Sequence, residues 1–151
     1  MKNYLWQDDG NARIDREIME FMAGEDVILD RELFPFDIRA TIAHVRGLAR
    51  IGILSDQESA TLCSLLETLL QDFTEGRFIL DQRFEDGHSA IEMFLTEEVG
   101  EAGAKVHTGR SRNDQVAVAI RLYLKDCLGQ LMVLNSRIAY ACLARAERQP
   151  D

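Results

Sequence analysis

Apolar residues recur at steps of three and four along most of this chain, and sustained two-residue alternation is almost absent. Ile14, Ile18, Met19, Phe21 and Met22 predict a short amphipathic helix over residues 12–23, broken by Gly24-Glu25-Asp26. A stronger helix is expected from Asp37, just after Phe34-Pro35-Phe36, with Ile38, Ile42, Val45, Leu48 and Ala49 as its apolar stripe. Gly52 stops it. Ser55 followed three places on by Glu58 has the spacing of a capping box. The helix it opens carries Leu62, Leu65, Leu66, Leu69, Leu70 and Phe73, and Gly76 ends it. Residues 77–84 read as an extended connection with room for one short strand. Glu85-Asp86-Gly87 leads into a further helix with Ile91, Phe94, Leu95 and Val99 on one face, closed by Gly100 and Gly103. Lys105 to Arg112 is a polar loop, and from Asn113 a helical pattern runs without a breaker to Arg148, interrupted only by Gly129. The expected fold class is all-α.

That last helix is too long for the chain that owns it. At ~1.5 Å per residue it is a rod of roughly 50 Å, whereas a compact chain of this size has a radius of gyration of about 15 Å. Val116, Ile120, Tyr123, Cys127, Leu131, Leu134, Ile138 and Ala141 step along one side, and Leu122, Leu124, Leu128, Met132, Val133 and Leu143 add apolar surface elsewhere. A helix greasy on most sides is an inner member of a bundle. Self-association through residues 116–143 is therefore expected. The chain divides into a helical unit over 1–112 and a long bundle helix over 113–151.

Composition changes this picture little, but charge adds something. The 151 residues carry 17 Lys+Arg against 26 Asp+Glu, a net −9, the wrong sign for non-specific binding to nucleic acid or an anionic membrane. Three cysteines without CxxC spacing argue against a disulfide framework or zinc site. Neither a signal peptide nor a transmembrane run is visible, so a cytoplasmic location is expected. The window 105–125 nevertheless holds Lys105, Arg110, Arg112, Arg121 and Lys125 against Asp114 alone. Such a window either docks a small anion or is an ordinary solvated helix start.

Candidate chemistry lies in that window. Thr108-Gly109-Arg110-Ser111-Arg112-Asn113-Asp114-Gln115 packs two guanidinium groups, two hydroxyls, amides and a carboxylate together at the head of the rod. Asn113 or Asp114 suits the N-cap. A helix N-terminus offers unpaired N–H groups and a positive dipole end, which disfavours arginine unless an anion is present. Arginine grips a carboxylate bidentately, and asparagine both donates and accepts. The competing reading is a capped helix whose arginines pair with the acidic first part of the chain. His44 and His107 read as structural, and Cys127 and Cys142 as packing residues in the rod. His88 lacks further ligands at suitable spacing, so no metal is expected.

The same eight residues resemble the TGRSRNDQ stretch of argininosuccinate lyases, members of the fumarase/aspartase superfamily. Upstream, Glu85-Asp86-Gly87-His88-Ser89-Ala90-Ile91-Glu92 is similar to that family's E-D-(V/I)-H-(S/T)-x-x-E segment. Asp37-Ile38-x-Ala40-x-x-Ala43-His44 resembles its D-I-x-G-S-x-A-H helix, and Leu5-Trp6 its opening L-W. The arginine before the asparagine separates the chain from fumarases, aspartases and adenylosuccinate lyases. Two departures stand out: Phe21-Met22-Ala23-Gly24 replaces the F-x-x-S pattern, and Gln7-Asp8-Asp9-Gly10 replaces GGRF.

This resemblance implies an L-aspartase/fumarase-like fold, with an N-terminal helical lyase domain over 1–112 and the first long helix of the central bundle over 113–151. It implies a carbon–nitrogen lyase that cleaves argininosuccinate to arginine and fumarate, the last step of arginine biosynthesis, without cofactor or metal. Ser111, Arg112 and Asn113 would hold the substrate's carboxylates and amine. Asp86, His88, Thr108, Arg110, Asp114 and Gln115 would support them, and backbone at Gly24 would stand in for the missing serine. The catalytic serine and histidine are expected after residue 151, and the active form is expected to be a homotetramer. The chain alone is then one inactive wall of a site. The alternative is a non-catalytic, crystallin-like relative or a helical oligomerisation module.

Overall fold

A computed structural model describes residues 26–149, all of whose regular structure is helical. The helix expected over 12–23, the Leu5-Trp6 pair and the Phe21–Gly24 segment lie outside the described residues. Five α-helices follow in order: α1 (Asp26–Arg50), α2 (Asp56–Thr74), α3 (Gly87–Val99), the short α4 (Glu101–Ala104) and α5 (Arg112–Arg148). A single 3₁₀ turn, Lys105–His107, sits between α4 and α5.

α1 begins eleven residues before the expected start at Asp37 and continues through Pro35. A proline inside a helix costs about 3 kcal/mol, because it removes one backbone bond and crowds the preceding turn. Packing on the N-terminal side of Pro35 overrides that cost. Val27 and Phe34 are each 1% exposed, and the Phe34 ring lies 4.9 Å from Phe73 and 5.7 Å from Phe78. Arg31 Nε also donates to the Leu80 carbonyl at 2.8 Å, tying this part of α1 to the α2–α3 connection.

The core is the meeting of α1, α2 and α3. Ile38, Val45 and Leu48 from α1 bury against Leu62, Leu66 and Leu69 from α2 and Ile91 and Leu95 from α3. Ser55 caps α2 in the expected box with Glu58. Residues 77–84 form no strand; they cross as turns and bends, with Leu80 buried and Phe78 stacked between Phe34 and Phe84. Aromatic packing, rather than strand pairing, holds this connection.

Two glycines do different work after α3. Gly100 takes φ 61°, a left-handed conformation that ends the helix. Gly103 does not end a helix but lies inside α4, where an added Cβ would sit 2.4 Å from the Leu95 backbone. Its lack of a side chain lets α4 and the 3₁₀ turn fold back onto α3, so most of the expected loop 105–112 is ordered turn.

α5 has 37 residues, about 55 Å at 1.5 Å each. Its inward face differs by one position from the expected stripe. Gln115 and Ala119 are buried, while Val116 and Ile120 are 38% and 39% exposed. The first half packs on α1, where Phe36 and Tyr123 meet edge to face at 5.6 Å. From Leu128 onward almost every side chain is exposed, Leu131, Met132, Val133 and Ile138 among them. Cys142 is exposed too, whereas Cys127 is partly covered. No helix among the described residues is long and apolar enough to cross a membrane.

Because the Leu95 backbone cannot yield to a methyl group, Gly103→Ala is expected to destabilise the 151-residue chain by about 1–3 kcal/mol. Urea denaturation checks this. Equal stability of the two forms would mean that α4 does not need its close approach to α3.

Candidate functional site

The heads of α3 and α5 converge, and each is closed by its own capping box. At α3 the Asp86 carboxylate accepts from the Ser89 backbone N–H at 2.7 Å, and the Ser89 hydroxyl accepts from the Asp86 N–H at 3.1 Å. At α5 the N-cap is Ser111, not Asn113 or Asp114. Its hydroxyl accepts from the Asp114 N–H, and Asp114 Oδ2 accepts from the Ser111 N–H at 2.8 Å. Asp114 can close the box because it stands three places after a serine, a spacing the Ser55–Glu58 pair also has. The Ser111 N–H and, at 3.0 Å, the Ser111 hydroxyl both donate to the Asp114 carboxylate and hold it below its usual range.

Arg112 is then the first residue of α5, and it bridges the two helix heads. Its guanidinium donates to Asp86 Oδ2 at 2.6 Å and lies 3.5 Å from Glu85 Oε1. One carboxylate thus caps α3 with one oxygen and holds Arg112 with the other. Asn113, next on the helix, is exposed and makes no side-chain hydrogen bond among the described residues. Gln115 is buried one turn further in.

α1 supplies the floor. Asp30 accepts from the Gly87 N–H at 2.8 Å. Gly87 needs to be small here, since a Cβ would lie 3.2 Å from the Phe34 ring. Asp37, 2% exposed, accepts from His88 Nδ1. Arg110 donates to the Thr41 hydroxyl at 3.2 Å. His44 Nε2 donates to the Thr108 carbonyl at 3.0 Å, and a carbonyl's inability to donate fixes the proton on that nitrogen. Exposed Thr108 is therefore held by its backbone, and His44 is a strut for the loop.

Of the residues singled out from the sequence, the structure brings Asp86, His88 and Arg112 together, with Ser111, Asn113 and Asp114 beside them on the first turn of α5. Arg110 turns inward instead, its guanidinium mostly buried. Asp30 and Thr41 do not stand out from the sequence as site residues, Asp37 enters only as part of a motif, and His44 has the structural role read for it. A signal existed: Asp30, Asp37, Thr41 and His44 fall at intervals of seven, four and three, one face of a helix. Among the described residues no group of His, Cys, Asp and Glu is arranged to hold a metal ion.

Burial opposes charge on His88, but the Asp37 hydrogen bond and the charges of Asp37, Asp86 and Asp30 outweigh it, and its pKa is raised. His44 is shifted the other way, by burial first and then by Arg110. A raised histidine pKa stabilises the fold below the unfolded-state value of about 6.5, and this contribution is lost as pH rises through the folded value. A lowered one does the reverse: stability falls with acidification from about 6.5 down through the folded pKa. Denaturant titrations across pH should therefore show that His88→Gln removes a loss of stability above pH ~6.5. His44→Gln should remove a loss below it. The same pH slope in both variants and the parent chain would contradict these environments.

The sequence model of the lyase family matches residues 14–151. An argininosuccinate lyase of Stenotrophomonas maltophilia (strain K279a) is 55% identical over 151 residues, all of this chain and 35% of that protein. Those of Xanthomonas oryzae pv. oryzae (strain PXO99A) and Xanthomonas campestris pv. campestris (strain B100) are 53% and 52% identical over the same shares. The chain thus spans 35% of the length of these curated relatives. With its all-helical fold and a family match over nearly its whole length, the chain belongs to the lyase family of the fumarase/aspartase superfamily.

Proposed function

We propose that this chain forms one wall of the active site of an argininosuccinate lyase, which splits argininosuccinate into arginine and fumarate. The observation that carries the reading is the convergence of two helix N-termini on Arg112. Each brings the positive end of a helix dipole. The substrate's succinyl part is a dianion, and Ser111, Arg112 and Asn113 line the place where it would bind. Asp86 and His88 adjoin them, while Thr108, Arg110, Asp114 and Gln115 keep the loop and first turn in shape. The match of the whole chain to the corresponding 35% of argininosuccinate lyases supports the same substrate.

In the elimination a base removes the proton on the carbon beside a carboxylate, and negative charge grows on that carboxylate. As this charge grows, its contacts with Arg112 and Asn113 strengthen, which lowers the barrier rather than merely tightening binding. A general acid protonates the departing guanidino nitrogen. We place both proton-transfer groups in sequence beyond residue 151, and we take the reaction to need neither metal nor cofactor. In this reading residues 1–112 form the N-terminal domain and 113–151 the first bundle helix of a cytoplasmic homotetramer.

Two measurements test the proposal. With the sequence that follows residue 151 in its gene attached, the polypeptide is expected to form fumarate from argininosuccinate, read by ultraviolet absorbance. Arg112→Ala or Asn113→Ala should lower kcat/KM roughly a hundred- to a thousand-fold, as removing a transition-state donor does elsewhere. No turnover by the unsubstituted polypeptide would sink the reading. Separately, the exposed apolar half of α5 is costly in water, so light scattering should find the 151-residue chain larger than a monomer. A well-behaved monomer at high concentration would count against the bundle role of α5.

A further inference from the structure

Asp37 is among the most deeply buried polar residues described, and among the described residues only one of its oxygens has a hydrogen-bond partner. Oδ2 accepts from His88 Nδ1, while Oδ1 has none. Taking a carboxylate out of water costs several kcal/mol unless positive charge lies close by. Two such charges flank Asp37. One is His88 at the head of α3. The other is Arg110, whose buried Nε also lacks a partner and whose charge Asp37 and Glu92 support against burial. These charges come from separate segments, and Asp37 acts on both, beside Asp86 and Asp30 near His88 and Glu92 near Arg110.

We propose that Asp37 is the positioning residue of this site: it holds the His88 ring with Nδ1 protonated and inward, leaving Nε2 as the nitrogen that meets a bound carboxylate. A neutral ring so held offers an acceptor at Nε2, which a carboxylate repels; a protonated ring offers a donor. Asp30 and Asp37 on α1 and Glu85 and Asp86 before α3 favour the proton. Arg110 and Arg112 oppose it. Asp37 is the one of these groups bonded to the ring itself, so it sets both tautomer and charge, much as carboxylates orient the histidines of metal sites. The identity of the ligand rests on the lyase reading, but the state of the ring does not.

The test needs no turnover, so its failure is distinct from a failure of the proposed activity. In the nitrogen-15-labelled 151-residue chain, long-range proton–nitrogen spectra report which imidazole nitrogen holds the proton. His44→Gln, His88→Gln and His107→Gln variants assign the three rings. Above its pKa, His88 is expected to keep its proton on Nδ1. In Asp37→Asn, which retains shape and one acceptor but loses the charge, His88 should bind its second proton about tenfold more weakly or worse. A neutral His88 protonated on Nε2 in the parent chain overturns the proposal. So does proton binding within twofold of the parent in a folded Asp37→Asn chain. Should that variant fail to fold, the tautomer in the parent chain decides.

Discussion

A row of polar side chains down one face of α1 holds the candidate site together. Asp30, Asp37, Thr41 and His44 each grip a different group, the Gly87 amide, the His88 ring, the Arg110 guanidinium and the Thr108 carbonyl, in two segments. These partners span the start of α3 and the loop that leads into α5, and they are far from α1 in sequence. The row lies beside the apolar stripe of Phe34, Ile38 and Val45, which anchors α1 in the core. The site's geometry is thereby referred to a rigid, buried helix rather than to the surface loop that carries most of its chemistry.

The contacts differ greatly in weight. Lys105 with Glu58 at 3.0 Å and Arg77 with Asp72 at 2.6 Å are partly exposed pairs that water still reaches, worth little after solvent screening. Glu58 is nonetheless held at about 2, first by the Ser55 backbone N–H and then by the Ser55 hydroxyl and Lys105. Its role is to cap α2. The Asp37, His88 and Arg110 group is of another kind. There the charges are buried, and removing one strands the others, so the cost of a deletion exceeds the net value of the contact. Arg112 and Asp86 stand between these limits: Arg112 is 40% exposed, so an incoming anion can reach it without first unfolding anything.

Much of this was legible in the sequence, for identifiable reasons. Helix periodicity and the Ser55–Glu58 spacing place α2 and α3, because their signals are local. The segment Thr108–Gln115, a turn and the head of α5, announces itself by composition. Pro35 misleads, since the packing that overrides it joins Phe34 to Phe73 and Phe78, which no local pattern reveals. Ser111 is overlooked as a cap because Asn113 and Asp114 are also good caps, and only the box with Asp114 decides between them. Composition leaves Arg110 open between gripping an anion and pairing within the chain, and the Thr41 contact that draws it inward has no local signal. At Pro35 and Arg110 a contact distant in sequence settles what local chemistry left open, whereas at Ser111 the deciding box is itself local.

The unequal burial of α5 bears on how such a site works. The chain is acidic overall, so its distant field repels a dianion. Screening confines that repulsion to about 8 Å at physiological salt, however, and leaves the outcome to the groups beside the ligand, where Arg112 and the two helix ends attract it and Glu85, Asp86 and Asp114 oppose it. Those local charges attract only if they are held in place. The first half of α5 is fixed to α1 by Gln115, Ala119 and the Phe36–Tyr123 contact, whereas the second half has no cover among the described residues. A stiff rod clamped at one end turns small tilts at the other into strain at the clamp, which is where Arg112 sits. Covering the apolar half with further helices would stop that tilt and steady the guanidinium. Assembly would then contribute to binding even where the covering helices never touch the ligand.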